Sequence, residues 1–183
     1  FETWRPRLDP TERESLRVVY DAALTYAMHP ERMPPFFVMT GSNGWGKTRL
    51  AYSILNRTLE QGGFGLFITA PDMLDSLREG YKVDNLTPAD YANYDLKRAL
   101  DYETTLRLYK ELALLVIDDL GKEYQGRGST GGQSWAQEKI YQIINERYTQ
   151  KRRTVITTNL GEAHFDPAIW RPINDTHSAT CLV

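Results

Sequence analysis

Apolar residues along this chain recur in two rhythms: short unbroken runs, and stretches in which they return at every third or fourth position. The runs at 36–40, 64–70, 112–117, 154–158 and 181–183 read as strands buried on both faces, since little in them alternates with polar residues. The helical rhythm first appears in Leu16, Val19, Ala23 and Ala27. Asp9 is placed to cap that helix, with Pro10 at its first turn, Glu12 reaching back, and His29-Pro30 closing it. A second helix from Lys47 carries Leu50, Ala51, Ile54, Leu55 and Leu59 and stops at Gly62-Gly63. Pro71-Asp72 opens a third, bearing Met73, Leu74 and Leu77. Beyond the polar, tyrosine-rich stretch with its break at Thr87-Pro88, a helix is expected over 88–109. The segment 121–132 is glycine-rich and polar and reads as a mobile loop. Ser134 is placed to cap a last helix through Ala136, Ile140, Ile143, Ile144 and Tyr148. Strands alternating with helices imply a parallel sheet covered on both faces.

Composition narrows the setting. With 183 residues and 41% hydrophobic positions, the chain suits a single domain, 1–183, with 1–8 as an N-terminal linker. It begins at Phe1 and stops inside an expected strand, so it is read as possible part of a longer protein and neither end as a domain boundary. Absence of a long apolar run or a signal-like leader points to a protein without membrane contact, and the lone Cys181 in an apolar run suits a cytoplasmic setting. Lys+Arg 22 against Asp+Glu 24 leaves a net charge of -2, so any nucleic-acid contact must come from a local patch. Lys151-Arg152-Arg153 is the dense basic run, which Lys122 and Arg127 can join; a solvated turn is the commoner meaning of such a run. His29, His164 and His177 lack ligand spacing, so no metal other than magnesium is expected.

The chemistry concentrates where the first strand meets the second helix. Gly41-Ser42-Asn43-Gly44-Trp45-Gly46-Lys47-Thr48 matches Gly-x-x-x-x-Gly-Lys-Thr in full, between a strand and a helix. A chance match in a chain this short is on the order of one in a hundred. Glycines let backbone amides close around phosphate oxygens, and the helix adds its positive end. Lys47 is expected to reach the β- and γ-phosphates of ATP or ADP, and Thr48 to bind Mg2+. These eight residues with Arg49 form the expected nucleotide-binding set. Trp45 either packs on the surface or stacks on a base. Asp118, ending the most apolar run, stands where a magnesium-orienting carboxylate is needed, and Asp119 where one could polarise the attacking water. The plainer meaning of the pair is a strand ending in a turn. Asn159, after Thr157-Thr158, is either a turn residue or an amide between water and γ-phosphate.

Together with Phe1-Glu2-Thr3-Trp4, the run 114–123, Asn145-Glu146-Arg147-Tyr148 and Thr157-Thr158-Asn159-Leu160, this chain resembles the AAA+ ATPases of the bacterial helicase-loader group, the DnaC- and DnaI-like proteins, with the related IstB-type transposition ATPases. The resemblance implies an α/β fold, a three-layer αβα P-loop NTPase (AAA+) core with a five-stranded parallel sheet and no helical lid. It implies ATP hydrolysis, ATP-dependent homo-oligomer assembly, single-stranded DNA binding, and a replicative helicase or a transposase as partner. By position, Lys47 and Thr48 hold phosphate and magnesium, Asp118 orients magnesium, Asp119 takes the catalytic acidic place and Asn159 is the first sensor. Phe1 or Trp4 would pack near adenine. The group's Ser-Arg pair before the last strand is missing: 173–178 reads Ile-Asn-Asp-Thr-His-Ser, leaving Arg171, or secondarily Arg147, as the arginine that reaches a neighbour's nucleotide. A nucleotide-switched recruitment module with little hydrolysis is the alternative from another class, and a small-molecule kinase a distant third.

Overall fold

The computed structural model describes residues 10–84, 100–121, 135–174 and 178–182, with side chains over 16–82, 100–121 and 135–174. Five strands, β1 (Phe36–Thr40), β2 (Gly65–Thr69), β3 (Leu114–Asp118), β4 (Arg153–Thr158) and β5 (Ser178–Leu182), join through four parallel pairings in the order β2-β3-β4-β1-β5. Among the described residues six α-helices accompany them: α1 (Pro10–Met28), α2 (Lys47–Glu60), α3 (Ala70–Asp84), α4 (Tyr102–Glu111), α5 (Trp135–Thr149) and α6 (Pro167–Ile173).

The unbroken apolar runs become strands because each face has its own layer of helices to meet. Phe36, Val38, Leu115, Ile117 and Ile156 pack with α3, α4, α5 and α6. Phe37, Met39, Leu114, Val116 and Val155 pack with α1 and α2. The strand period of two sends neighbours to opposite layers, so both must be apolar. Each such side chain removed from water contributes about 1.5–3 kcal/mol. Every residue of β1 and β3 is buried, while the edge strand β2 is half-buried throughout. Among the described residues no helix is long and apolar enough to cross a membrane.

Several expectations shift. Of the helix expected over 88–109, the described part is α4, which starts at Tyr102 because the Asp101 carboxylate accepts from the Thr104 amide at 2.8 Å and caps it there. The helix then runs two residues past 109, and Leu112, expected in the strand, is its C-cap. Gly80 on α3 lets the two helices touch: a Cβ there would lie 2.7 Å from the Tyr102 nitrogen. Leu59, counted with the apolar face of α2, is 46% exposed. No helix is expected at 167–173 from apolar period, yet Asp166 caps α6 through the Ala168 amide and Pro167 opens it. The Asp9 and Ser134 caps, the linker 1–8, Phe1 and Trp4, residues 88–99, most of the 121–132 loop, Lys122, Arg127, His177 and the Cys181 side chain lie outside what is described.

The basic turn and Arg147 also depart from expectation. Arg147 is fully buried, so it is not available to a neighbouring molecule. Its guanidinium donates to the carbonyls of Tyr109, Leu112 and Arg153 at 2.9, 3.0 and 2.6 Å and to the Thr154 hydroxyl at 2.9 Å. It thereby ties the end of α5 to the end of α4 and the start of β4. Arg152 donates to the Glu111 carbonyl, and Arg153 lies 4.9 Å over the Tyr26 ring while donating to the Tyr26 carbonyl. Two members of the basic run are therefore engaged with their own backbone.

Candidate functional site

The carboxyl ends of β1, β3 and β4 meet above the first turn of α2. Gly41, Gly44 and Gly46 have φ of 144°, 88° and 85°, values that side chains resist, so the loop can curl tightly between β1 and α2. Gly46 caps α2, whose first turn holds Lys47, Thr48 and Arg49 and no acidic residue. Its unshared amides and dipole therefore face the loop with no acidic side chain of the helix's own first turn beside them. The buried Lys47 ammonium donates to the carbonyls of Gly41 and Ser42 at 2.8 and 2.7 Å. Burial pushes its pKa down, while the charges of Asp119 and Asp118 oppose that.

Asp118 belongs to the α2 face of β3 by the same alternation that places Leu114 and Val116 there. Its carboxylate is buried and accepts from the Thr48 hydroxyl at 3.1 and 3.2 Å and from the Thr157 hydroxyl at 2.5 Å. Asp119 follows in a left-handed conformation, φ 57°, its amide donating to the Thr157 hydroxyl at 2.9 Å. The Asn159 side-chain oxygen is buried without a hydrogen-bond partner. A cleft of about 420 Å³ gathers Asn43, Gly44, Gly46, Lys47, Thr48, Arg49, Tyr52, Asp119 and Asn159.

Most of the residues singled out by spacing thus converge. Gly41 and Ser42 support Lys47 from behind, and Asp118 backs Thr48. Half-buried Trp45 does not line the cleft. Arg171 does not either; it lines a separate hollow with Glu162, Phe165, Pro167, Trp170 and Asn174. Two residues were missed. Tyr52, one helical step of four beyond Thr48, lines the cleft and stacks on Phe67 with ring centres 3.8 Å apart. That spacing was readable along α2. Thr157 bridges Asp118 and Asp119, and only the register of β3 on β4, Ile117 beside Ile156, brings it there.

A glycine loop between a central strand and a helix, facing a strand-end carboxylate in a parallel sheet, defines an α/β P-loop NTPase-like fold. In sequence and fold the chain is similar to DnaC/DnaI-like AAA+ helicase loaders. No protein-family model matches it. It is 25% identical over 149 residues, 81% of this chain and 52% of the relative, to the replicative helicase loader DnaC of Buchnera aphidicola subsp. Baizongia pistaciae (strain Bp). It spans about half the length of the curated relatives it first matches. The crystal structure of the DnaC helicase loader superposes with a TM-score of 0.68 at 20% identity, covering 99% of this chain and 94% of that one. AMPPCP-bound DnaA from Aquifex aeolicus superposes with a TM-score of 0.69 at 17% identity, covering 93% and 47%.

Proposed function

We propose that this chain is the ATP-binding AAA+ core of a DNA-replication helicase loader, binding ATP with magnesium and hydrolysing it as a homo-oligomer on single-stranded DNA in the cytoplasm. The carrying observation is the convergence of Lys47, Thr48, Asp119 and Asn159 on one cleft with Asp118 hydrogen-bonded behind Thr48. The Thr48 hydroxyl and the Asp118 carboxylate are hard oxygen donors, which suits Mg2+, a cation held by one or two carboxylates together with phosphates. The ion would neutralise charge on the phosphate oxygens. Lys47 would leave the loop carbonyls for the phosphates, amides of the loop would bind their oxygens, Asp119 would orient water, and the unpartnered Asn159 amide oxygen would accept from that water. Residues 1–183 are in this reading one domain. Arg171, exposed on α6, would act in a neighbouring copy's cleft. The helicase-loader name carried by the matched relatives favours a replicative helicase over a transposase as partner.

The test is nucleotide binding followed by turnover. Wild-type protein should bind a fluorescent ATP analogue, and Lys47→Ala should lose that binding while keeping its circular dichroism spectrum. ATPase rate per molecule should climb with protein concentration and with single-stranded DNA, and a replicative helicase should co-purify. Intact ATP binding by Lys47→Ala would refute the nucleotide site. Turnover independent of concentration would refute assembly.

A further inference from the structure

Consecutive strand residues point to opposite faces, yet Asp118 and Asp119 both serve the same end of the sheet. Asp118 points toward α2 from within β3, and Asp119 lines the cleft only because its backbone turns left-handed, with φ 57°. One side chain touches both. The Thr157 hydroxyl, on the neighbouring strand and wholly buried, accepts from the Asp119 amide at 2.9 Å. Its single hydrogen is therefore left to donate, and it donates to Asp118 Oδ1 at 2.5 Å, the short length of a charge-assisted bond. The same Oδ1 accepts from Thr48 at 3.1 Å, so the carboxylate is gripped from β4 and from α2 at once.

We infer that Thr157 is a positioning residue for the phosphate site, its one hydroxyl setting the rotamer of Asp118 and the left-handed turn that delivers Asp119. The inference rests on the nucleotide-binding reading of this cleft. A threonine suits the place for a stated reason: its branched side chain is stiff about χ1, so a hydroxyl held by β4 transmits the sheet's register to both carboxylates. Without it, the Asp119 amide loses its acceptor and Asp118 keeps Thr48 alone. Outer partners that orient metal-binding carboxylates typically change metal affinity by ~10- to 100-fold when removed.

The experiment compares wild type, Thr157→Val, Thr157→Ala and Thr157→Ser by titration of a fluorescent ATP analogue with magnesium and with EDTA, followed by turnover. Val and Ala should lose about tenfold or more of the affinity gained from magnesium while matching wild type in EDTA, and Ser should restore it. A role in packing alone would leave the magnesium gain untouched in Val, which preserves the volume, and that result overturns the assignment. Equal loss of affinity in EDTA and magnesium overturns it too, because the cleft itself would have deformed. Should Val not fold, Ala decides by the same criteria. If wild type shows no nucleotide binding, or Lys47→Ala binds normally, the underlying reading falls with it; normal wild-type binding with an unaltered magnesium gain in the variants removes only Thr157.

Discussion

The Tyr26 hydroxyl donates to the Pro35 carbonyl at 2.6 Å, and its ring sits against Phe37 with centres 5.2 Å apart. Burial pushes its pKa up to about 12, with the nearby Arg153 charge opposing. The folded value lies above the unfolded value of 10.0, so the neutral phenol stabilises the fold fully below pH 10 and loses that contribution as pH rises toward about 12. At 1.36 kcal/mol per unit the contribution is roughly 3 kcal/mol. Urea unfolding of wild type and Tyr26→Phe should therefore differ by a constant amount from pH 7 to 9, and wild type should lose stability relative to the variant above pH 10; parallel curves through pH 11 would contradict the assignment. At this scale the phosphate loop was legible because Gly41, Gly44, Gly46, Lys47 and Thr48 are contiguous and need no partner to be recognised. Thr157 was not, since its meaning depends on which strand lies beside it.

Arg147 decides how three elements meet. Burial pushes its pKa down to about 10, with the Arg152 charge adding to that and Tyr26 opposing, so it remains charged near neutral pH. Its donors satisfy carbonyls at the end of α4 and the start of β4 in a buried to part-buried setting, and an unsatisfied buried group costs about 1–3 kcal/mol. Arg147→Met should lower unfolding free energy by about 3 kcal/mol or more. Arg147→Lys should recover only part of this, because a single ammonium cannot reproduce the planar fork. Urea unfolding measures both, and a change within 0.5 kcal/mol of wild type would show that the tie is dispensable. Helix and strand existence along the chain was legible from period alone, as in α2 and β3. Boundaries were less so: the start of α4 rests on a cap between Asp101 and Thr104, and α6 is a short helix whose Asp166-Pro167 opening is the same device read at Asp9-Pro10.

For the molecule as a whole, β4 lies between β1 and β3, which sets Thr157 against Asp118 and Asn159 beside the glycine loop. Arg171 stands apart from that cleft. If it completes a neighbour's site, Arg171→Ala should keep wild-type ATP affinity and lose turnover by roughly 10³-fold. Mixing it with Lys47→Ala should then restore some activity, since one partner supplies the loop and the other the arginine. Unchanged turnover in Arg171→Ala, or no recovery on mixing, would leave that arginine without the proposed role. The amino-acid sequence by itself determined the strand and helix rhythm and the phosphate loop, because both are written in residues near one another along the chain. Only the tertiary structure decided that Arg147 is a buried tie, that Arg152 and Arg153 hold backbone carbonyls, and that one hydroxyl from β4 serves both Asp118 at the end of β3 and Asp119 just beyond it. Those contacts join residues far apart in sequence, and strand order and register, set by burial on two faces of the sheet, determine which of them meet.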